Sequence, residues 1–354
     1  MEILELSDYN IFVGAIESSL PPLLQDKNYS RVVVICDEHT AELCLPILQK
    51  ALADPLFAII KVLSGEQHKN IDTCQLIWRQ MMSFGVDRKA LIINLGGGVI
   101  GDMGGFCAAT FKRGIDFVQI PTTLLAQVDA SIGGKLGIDF AQVKNSVGVF
   151  QNPKAVFIDP VFLKTLPFRE IRSGFAEIIK HTLIADAIQW ADIQKIEDLQ
   201  AVNWANLILP SLKIKRQIVA ADPFEQGLRK ALNFGHTIGH AVESLLLETA
   251  HPMLHGEAIA IGMICEAYLS QKLLDLPEAD LHAISYFLLK TYGHQPIEEQ
   301  DFEALLQFMQ NDKKNEQLQI NFSLVKPIGQ AVINQTTDRT TIIESFRYYN
   351  SLNI

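Results

Sequence analysis

Charge is scarce in this chain, and its balance has the wrong sign for nucleic acid. Only 20% of the 354 residues are charged, with a net charge of −10, whereas a protein that grips a phosphate backbone presents a basic face. Nucleic acid is therefore excluded as the main partner. A small anionic substrate is not, because it senses only local charge. Sparse charge combined with 48% hydrophobic residues also excludes a disordered chain. Cysteine offers no framework. Cys36, Cys44, Cys74, Cys107 and Cys265 are odd in number and lack C-x-x-C spacing, so reduced thiols in a cytoplasmic protein are expected. No run of 18 apolar residues exists to span a membrane. The acidic start MEILELSDYN lacks the basic region of a signal peptide. Internal repeats and low-complexity segments are absent as well. The length suits two domains.

The sequence is organised around residues 90–102, ALIINLGGGVIGD. A short apolar strand over 91–95 runs into Gly96, Gly98 and Gly101, spaced G-x-G-x-x-G, with Gly97 between them and Asp102 after. Glycines permit φ > 0 and let backbone N–H groups approach an anion. A strand–glycine–helix junction aims those donors at a pyrophosphate. A tight turn with no ligand accounts for the same letters, so the rest of the chain must decide. Residues 31–36, RVVVIC, read as a buried strand closed by Asp37. That carboxylate suits either a ribose hydroxyl or the cap of a helix starting near Thr40. A strand over 57–63 and an amphipathic helix over 71–84 follow. This β–α–β–α–β order predicts a parallel, doubly wound sheet. Because the acidic residue precedes the glycines, the unit is Rossmann-like in architecture without the usual fingerprint order. Strands at 117–120 and 155–158 complete this half. Residues 128–139, VDASIGGKLGID, read as a second glycine-rich loop enclosing Lys135.

Beyond residue 160 the apolar spacing turns helical, at 170–185, 204–221, 230–247 and 257–274, before a small hairpin at 319–334. The expected fold class is thus α/β: a Rossmann-like parallel-sheet domain over 1–160, then a mostly α-helical domain over 161–354. A cleft between such halves is where a ligand is expected. The stretch NFGHTIGH sets His236 and His240 one helical turn apart. His255 lies in a loop before the next helix, and Glu177 and Lys180 share an earlier helix face. One carboxylate and two imidazoles from separate elements suit a divalent metal with an open position. An incidental histidine pair and a plain Glu177–Lys180 ion pair are the alternatives at this point.

GGGVIGDMGGF, RGIDFVQIPTTLLAQVDASIGGK, KNSVG, GFAEIIKH, LNFGHTIGHAVE and HGEAIAIGM together resemble the 3-dehydroquinate synthase family of sugar phosphate cyclases. The resemblance spans nearly the whole chain, from about Asp37 to Lys314. It implies an NAD- and metal-dependent enzyme of the shikimate pathway, expected as a cytoplasmic homodimer. By similarity, Glu177, His236 and His255 would hold Zn²⁺ or Co²⁺. NAD would be contacted by Asp37, Glu66, Lys69, Gly97, Gly98, Val99, Asp102, Thr122, Thr123, Lys144, Phe162 and Thr165. The small phosphorylated sugar-acid substrate would be held by Arg113, Asp129, Lys135, Asn145, Lys180, Lys215, Glu225, Arg229, Asn233, His240 and Lys313 or Lys314. Val143 and Leu136 depart from the family's usual glycine and threonine or valine, flanking these residues without replacing any of them. The implied reaction oxidises one hydroxyl with NAD⁺, eliminates phosphate, returns the hydride, then opens the ring and recloses it by an aldol step. Another sugar phosphate cyclase would need fewer cations, since its substrate lacks the carboxylate. A metal-dependent polyol dehydrogenase would release NADH. A silent nucleotide-binding module would not need Glu177, His236 and His255.

Overall fold

The computed structural model describes residues 1–26, 28–52, 57–141, 143–246, 252–310 and 319–353. The chain divides into two compact units. The first is Met1–Pro167 with Trp204–Ala220, and the second is Phe168–Asn203 with Ala221–Ile354. Among the described residues, no helix is long and apolar enough to cross a membrane.

In the first unit the strands are β1 (Glu2–Glu5), β2 (Asn10–Val13), β3 (Val32–Asp37), β4 (Ala58–Val62), β5 (Leu91–Gly96), β6 (Asp116–Pro121), β7 (Lys135–Phe140), β8 (Val143–Phe150) and β9 (Ala155–Ile158). Seven of them form one sheet in the order β1-β2-β9-β6-β5-β3-β4. All neighbours in it are parallel except the β1–β2 pair at the edge. The central strands are buried on both faces, and their side chains divide with the two-residue period of a strand. Val33, Ile35 and Ile92 face Cys74, Ile77 and Met81 of the helix Ile71–Ser83 and Met103 of the helix Gly98–Thr110. Val34, Cys36, Leu91, Ile93 and Leu95 face Ile16, Leu20, Leu45 and Leu48 on the opposite side. The chain steps from β3 outward to β4, then crosses back over β3 to β5. Between the carboxyl ends of β3 and β5 the winding reverses, which is where doubly wound sheets bind ligands. Asp37 ends β3 and Gly96 ends β5 there.

The stretch expected as a glycine-rich loop is only partly one. Residues 126–130 form a π-helical turn, and Lys135 opens β7, which pairs with β8 in a hairpin. Two features explain the strand. Gly137 lies opposite Gly148, and Leu136 and Ile138 alternate into the core against the helix Gly98–Thr110. Leu136 fills the space that a side chain at Gly105 would occupy, so this departure from the family pattern is a packing residue.

The second unit is built on the helix His255–Leu274, buried around nearly its whole circumference, as a central helix must be. It packs against the helices Phe168–Ala185, His236–Leu246, Glu278–Tyr292 and Arg339–Ser351. A two-stranded hairpin, β10 (Phe322–Val325) and β11 (Ala331–Gln335), also belongs to this unit. The single helix expected over 230–247 is two elements. A 3₁₀ helix, Leu228–Asn233, ends before Gly235, and the α-helix starts at His236. Gly235 has φ +79°, open to glycine and strained for other residues. A Cβ there would also meet Met263 Cγ at 2.5 Å. Arg229, Asn233 and His236 therefore do not share one α-helical face. His255 is likewise not in a loop but is the first residue of its helix.

Candidate active site

In the first unit the glycine run forms the junction its sequence predicts. Gly97 caps the helix Gly98–Thr110 with no side chain, leaving the first-turn N–H groups to an outside acceptor. None of Gly96, Gly97, Gly98 or Gly101 has a positive φ. The glycine requirement here is space, not handedness: a Cβ on Gly97 would sit 3.0 Å from Thr123 Cγ2. Thr122 follows β6 and donates its N–H to Gly96 O at 3.0 Å, which draws Thr122, Thr123 and the glycines together. Asp37 caps a short helix, accepting from Thr40 N at 2.7 Å and Thr40 Oγ1 at 2.9 Å through Oδ1.

Lys69 ties three of the predicted residues into one knot. Its Nζ donates to Asp102 Oδ2 at 2.7 Å and Asn145 Oδ1 at 2.6 Å, with Glu66 Oε1 at 3.9 Å. Its residue surface is 3% exposed. Burial pulls the Lys69 ammonium down, but Asp102 and Glu66 outweigh it and hold the pKa above the usual lysine value. Burial raises Asp102 and Glu66 above the ordinary carboxylate range against the pull of Lys69, and Lys144 adds its charge near Glu66. Lys215, on the returning helix Ala205–Ala221, places Nζ 2.5 Å from both Asp129 O and Asp129 Oδ1. Val99 lies in the first turn after Gly98.

Four other predicted residues belong to other elements of the first unit. Arg113 is exposed at the far end of the helix that Gly98 begins, and a 13-residue helix is about 20 Å long. Lys135 opens β7 and Thr165 ends a 3₁₀ turn, both with exposed side chains. Phe162 is buried in the core with Ile16 and Leu20, so only its backbone is available to a cofactor. Lys313 and Lys314 lie outside the described residues.

The second unit gathers the metal candidates. Glu177, fully buried in the helix Phe168–Ala185, sets Oε1 3.5 Å from His236 Nε2 and 3.5 Å from His255 Nε2. Lys180 Nζ donates to Glu177 Oε2. One ring nitrogen each from His236, His240 and His255 lies within 4.8 Å of the others. The Nδ1 atoms face acceptors: Phe234 O at 3.1 Å for His236, and Glu243 Oε2 at 3.2 Å for His255. A carbonyl can only accept, so His236 Nδ1 carries a proton, which makes Nε2 the nitrogen through which this ring could bind a metal. The donor set fits a divalent cation. Ligands about 2.1 Å from a tetrahedral ion stand about 3.4 Å apart, close to the separations observed. Burial pulls His255 down, yet its hydrogen bonds to Glu177 and Glu243 carry it up to about 10.

Two carboxylates in this assembly were not singled out from sequence. Glu243 follows His236 and His240 at i+7 and i+3, a spacing that puts it on their face. Glu266 is buried in the helix His255–Leu274 and accepts from Gly235 N at 2.6 Å and Ile238 N at 3.0 Å. It thus satisfies N–H groups at the start of the helix that carries His236. Asp222 organises the preceding loop by accepting from the N–H groups of Gln226, Gly227 and Arg229. From the 3₁₀ helix that follows, Asn233 Nδ2 donates to Glu225 Oε1 at 3.0 Å, and the buried Arg229 donates Nη1 to Pro223 O at 2.6 Å.

The fold is that of the sugar phosphate cyclases. A 2-epi-5-epi-valiolone synthase from Streptomyces hygroscopicus, solved with NAD⁺ and Zn²⁺ bound, is 26% identical with a TM-score of 0.85, covering 99% of this chain and 98% of that one. A 2-deoxy-scyllo-inosose synthase shares the fold at TM-score 0.83 and 24% identity, covering 98% of this chain and 99% of that one. Residues 59–173 match the family described as 3-dehydroquinate synthase N-terminal, and residues 174–315 match 3-dehydroquinate synthase C-terminal. The 3-dehydroquinate synthase of Parabacteroides distasonis is 42% identical over 94% of this chain and 95% of its own length. That of Halalkalibacterium halodurans is 41% identical over 94% and 92%. The chain belongs to the 3-dehydroquinate synthase family.

Proposed function

We propose that this chain converts 3-deoxy-D-arabino-heptulosonate 7-phosphate into 3-dehydroquinate and inorganic phosphate, acting as a carbon–oxygen lyase with NAD and one Zn²⁺ or Co²⁺. The observation that carries the reading is the convergence of Glu177 Oε1 with His236 Nε2 and His255 Nε2, in a chain so similar to named 3-dehydroquinate synthases. When bound, NAD supplies a hydride acceptor that is regenerated, and the cation favours the alkoxide of the hydroxyl being oxidised. Glu177, His236 and His255 would hold the cation, and Lys180 neutralises the carboxylate oxygen of Glu177 that the imidazoles do not face. The glycine junction would present backbone N–H groups to the pyrophosphate, while Asp37, Glu66 and Asp102 offer carboxylate oxygens to hydroxyls of the cofactor. Arg229 can grip a carboxylate with two parallel hydrogen bonds. Asn233 and Glu225, linked to each other, suit the ring hydroxyls, and the family resemblance adds His240 of the same unit and Lys135, Asn145 and Lys215 of the first unit as further substrate contacts. Restricting the opened intermediate to one geometry favours ring closure.

The working form is read as a homodimer, supported by the exposed Phe140, Val143, Val147 and Phe150 of the β7–β8 hairpin; sedimentation velocity tests it. The five cysteines are free thiols, which supports a cytoplasmic setting. The activity is tested by incubating the metal-loaded chain with the heptulosonate phosphate and substoichiometric NAD⁺. Phosphate release in many-fold excess over NAD⁺, with no accumulating NADH, is the expected result. Stoichiometric NADH would mark a dehydrogenase instead. Turnover of a carboxylate-free sugar phosphate alone would mark a different cyclase.

A further inference from the structure

We propose that Glu243 is a positioning residue for the metal site, fixing the ring of His255 and raising its strength as a ligand. The inference rests on the assignment of Glu177, His236 and His255 as the ligand set. Glu243 and His255 come from different helices, His236–Leu246 and His255–Leu274, and meet at 3.2 Å between Oε2 and Nδ1. An ionised carboxylate only accepts, so this contact keeps the proton on Nδ1 and turns Nε2 toward Glu177 Oε1. His236 reaches the same state by a different route, because its Nδ1 faces the neutral carbonyl of Phe234. The two imidazoles are therefore unequal. A carboxylate behind an imidazole makes it a more basic ligand than a carbonyl does.

The charges agree with this role. Glu177 and Glu243 bring two negative charges and Lys180 brings one positive charge. Glu243 thus adds a second carboxylate on the far side of His255 from Glu177, and removing it takes away the partner of Nδ1. The position of Glu243 adds weight, since its carboxylate shares the face of the helix from which His236 and His240 project.

The experiment uses the full chain and measures Zn²⁺ affinity by competition with a chromophoric chelator, together with the visible spectrum of the Co²⁺-loaded protein. Glu243→Gln keeps the shape and a hydrogen-bond acceptor but removes the charge. Glu243→Leu removes both. Zn²⁺ affinity should fall about tenfold in Glu243→Gln and up to about a hundredfold in Glu243→Leu, the range for partners behind metal ligands. The Co²⁺ bands should shift in both, while circular dichroism stays unchanged. Wild-type Zn²⁺ affinity and an unmoved Co²⁺ spectrum in Glu243→Gln would overturn the proposal, whether or not Glu243→Leu folds. Two further variants, His236→Ala and His255→Ala, separate the two levels of the argument. If they also bind Zn²⁺ like the wild type, the ligand assignment itself fails. If they lose the metal while Glu243→Gln does not, only the role of Glu243 fails.

Discussion

Replacing Lys69 by Met tests the knot in the first unit most sharply, because the change keeps the apolar stem and deletes only the ammonium. The Lys69 side chain is 4% exposed and that of Asp102 is 21% exposed. Breaking a buried pair typically costs 3–5 kcal/mol because a charge is left uncompensated. The solvent still reaching Asp102 puts this case at the low end, at about 3 kcal/mol near pH 8. The loss should depend on pH, with a definite sign. Asp102 and Glu66 already sit above the ordinary carboxylate range, through burial, and the Lys69 charge is what pulls them back down most strongly. A carboxyl whose folded pKa exceeds its unfolded value weakens the fold as pH rises through the interval between the two. Without Lys69 that interval extends upward. Each pH unit inside it is worth about 1.4 kcal/mol per group, so the variant should recover much of its stability at pH 5.5. Urea unfolding can be followed through Trp78, which packs in this unit, with Trp190 and Trp204 replaced by Phe. Asp102→Asn should rescue Lys69→Met by removing the orphaned charge. An equal loss at pH 5.5 and pH 8, or strict additivity of the two substitutions, would refute the reasoning.

Gly97→Ala adds a Cβ 3.0 Å from the Thr123 methyl, at the junction proposed to hold the cofactor, and should raise the NAD dissociation constant at least about tenfold by calorimetry. Arg229→Lys keeps the charge but loses the fork, and a loss of about 1.5–3 kcal/mol predicts a roughly ten- to hundred-fold fall in kcat/KM. An analogue lacking the carboxylate should be nearly indifferent to that change, and equal losses on both substrates would remove Arg229 as the carboxylate anchor. Stripping divalent metal with a chelator should abolish phosphate release, and Zn²⁺ or Co²⁺ should restore it. An undiminished rate in elementally metal-free protein would remove Glu177, His236 and His255 from the reaction.

The parts of the fold carried by local pattern were legible in the sequence. The β-branched run at 31–36 became β3, the glycine junction became the β5-to-helix turn, and residues 155–158 became β9. What escaped depended on partners distant in sequence. Apolar spacing over 230–247 is continuous, so nothing local announced the break at Gly235, whose N–H is met by Glu266 from another helix. The strand at Lys135 exists because β8 pairs with it and a helix covers Leu136. Asp37 was ambiguous because a ribose acceptor and a helix cap require the same side chain, and its Oδ1 is used in the cap. Glu177, Lys180, His236 and His255 were legible as candidates, and the structure sets Lys180, His236 and His255 beside the Glu177 carboxylate. Glu243 could have been found from its spacing behind His236 and His240, whereas Glu266 could not.

The return of Trp204–Ala220 to the first unit has a consequence for any attempt to dissect the chain. The polypeptide passes from one unit to the other at 167/168, 203/204 and 220/221, so no single cut yields two self-sufficient fragments. A fragment ending at Pro167 would carry Asp129 without Lys215, leaving that carboxylate and the Asp129 carbonyl without the ammonium that both meet at 2.5 Å. Supplying the 204–220 segment in trans as a peptide should restore order to such a fragment. A version with Lys215 replaced by norleucine should do so less well. Synthesis order matters for the same reason: the ribosome must finish residue 220 before the first unit is complete, by which point the second unit's opening helix has already been made.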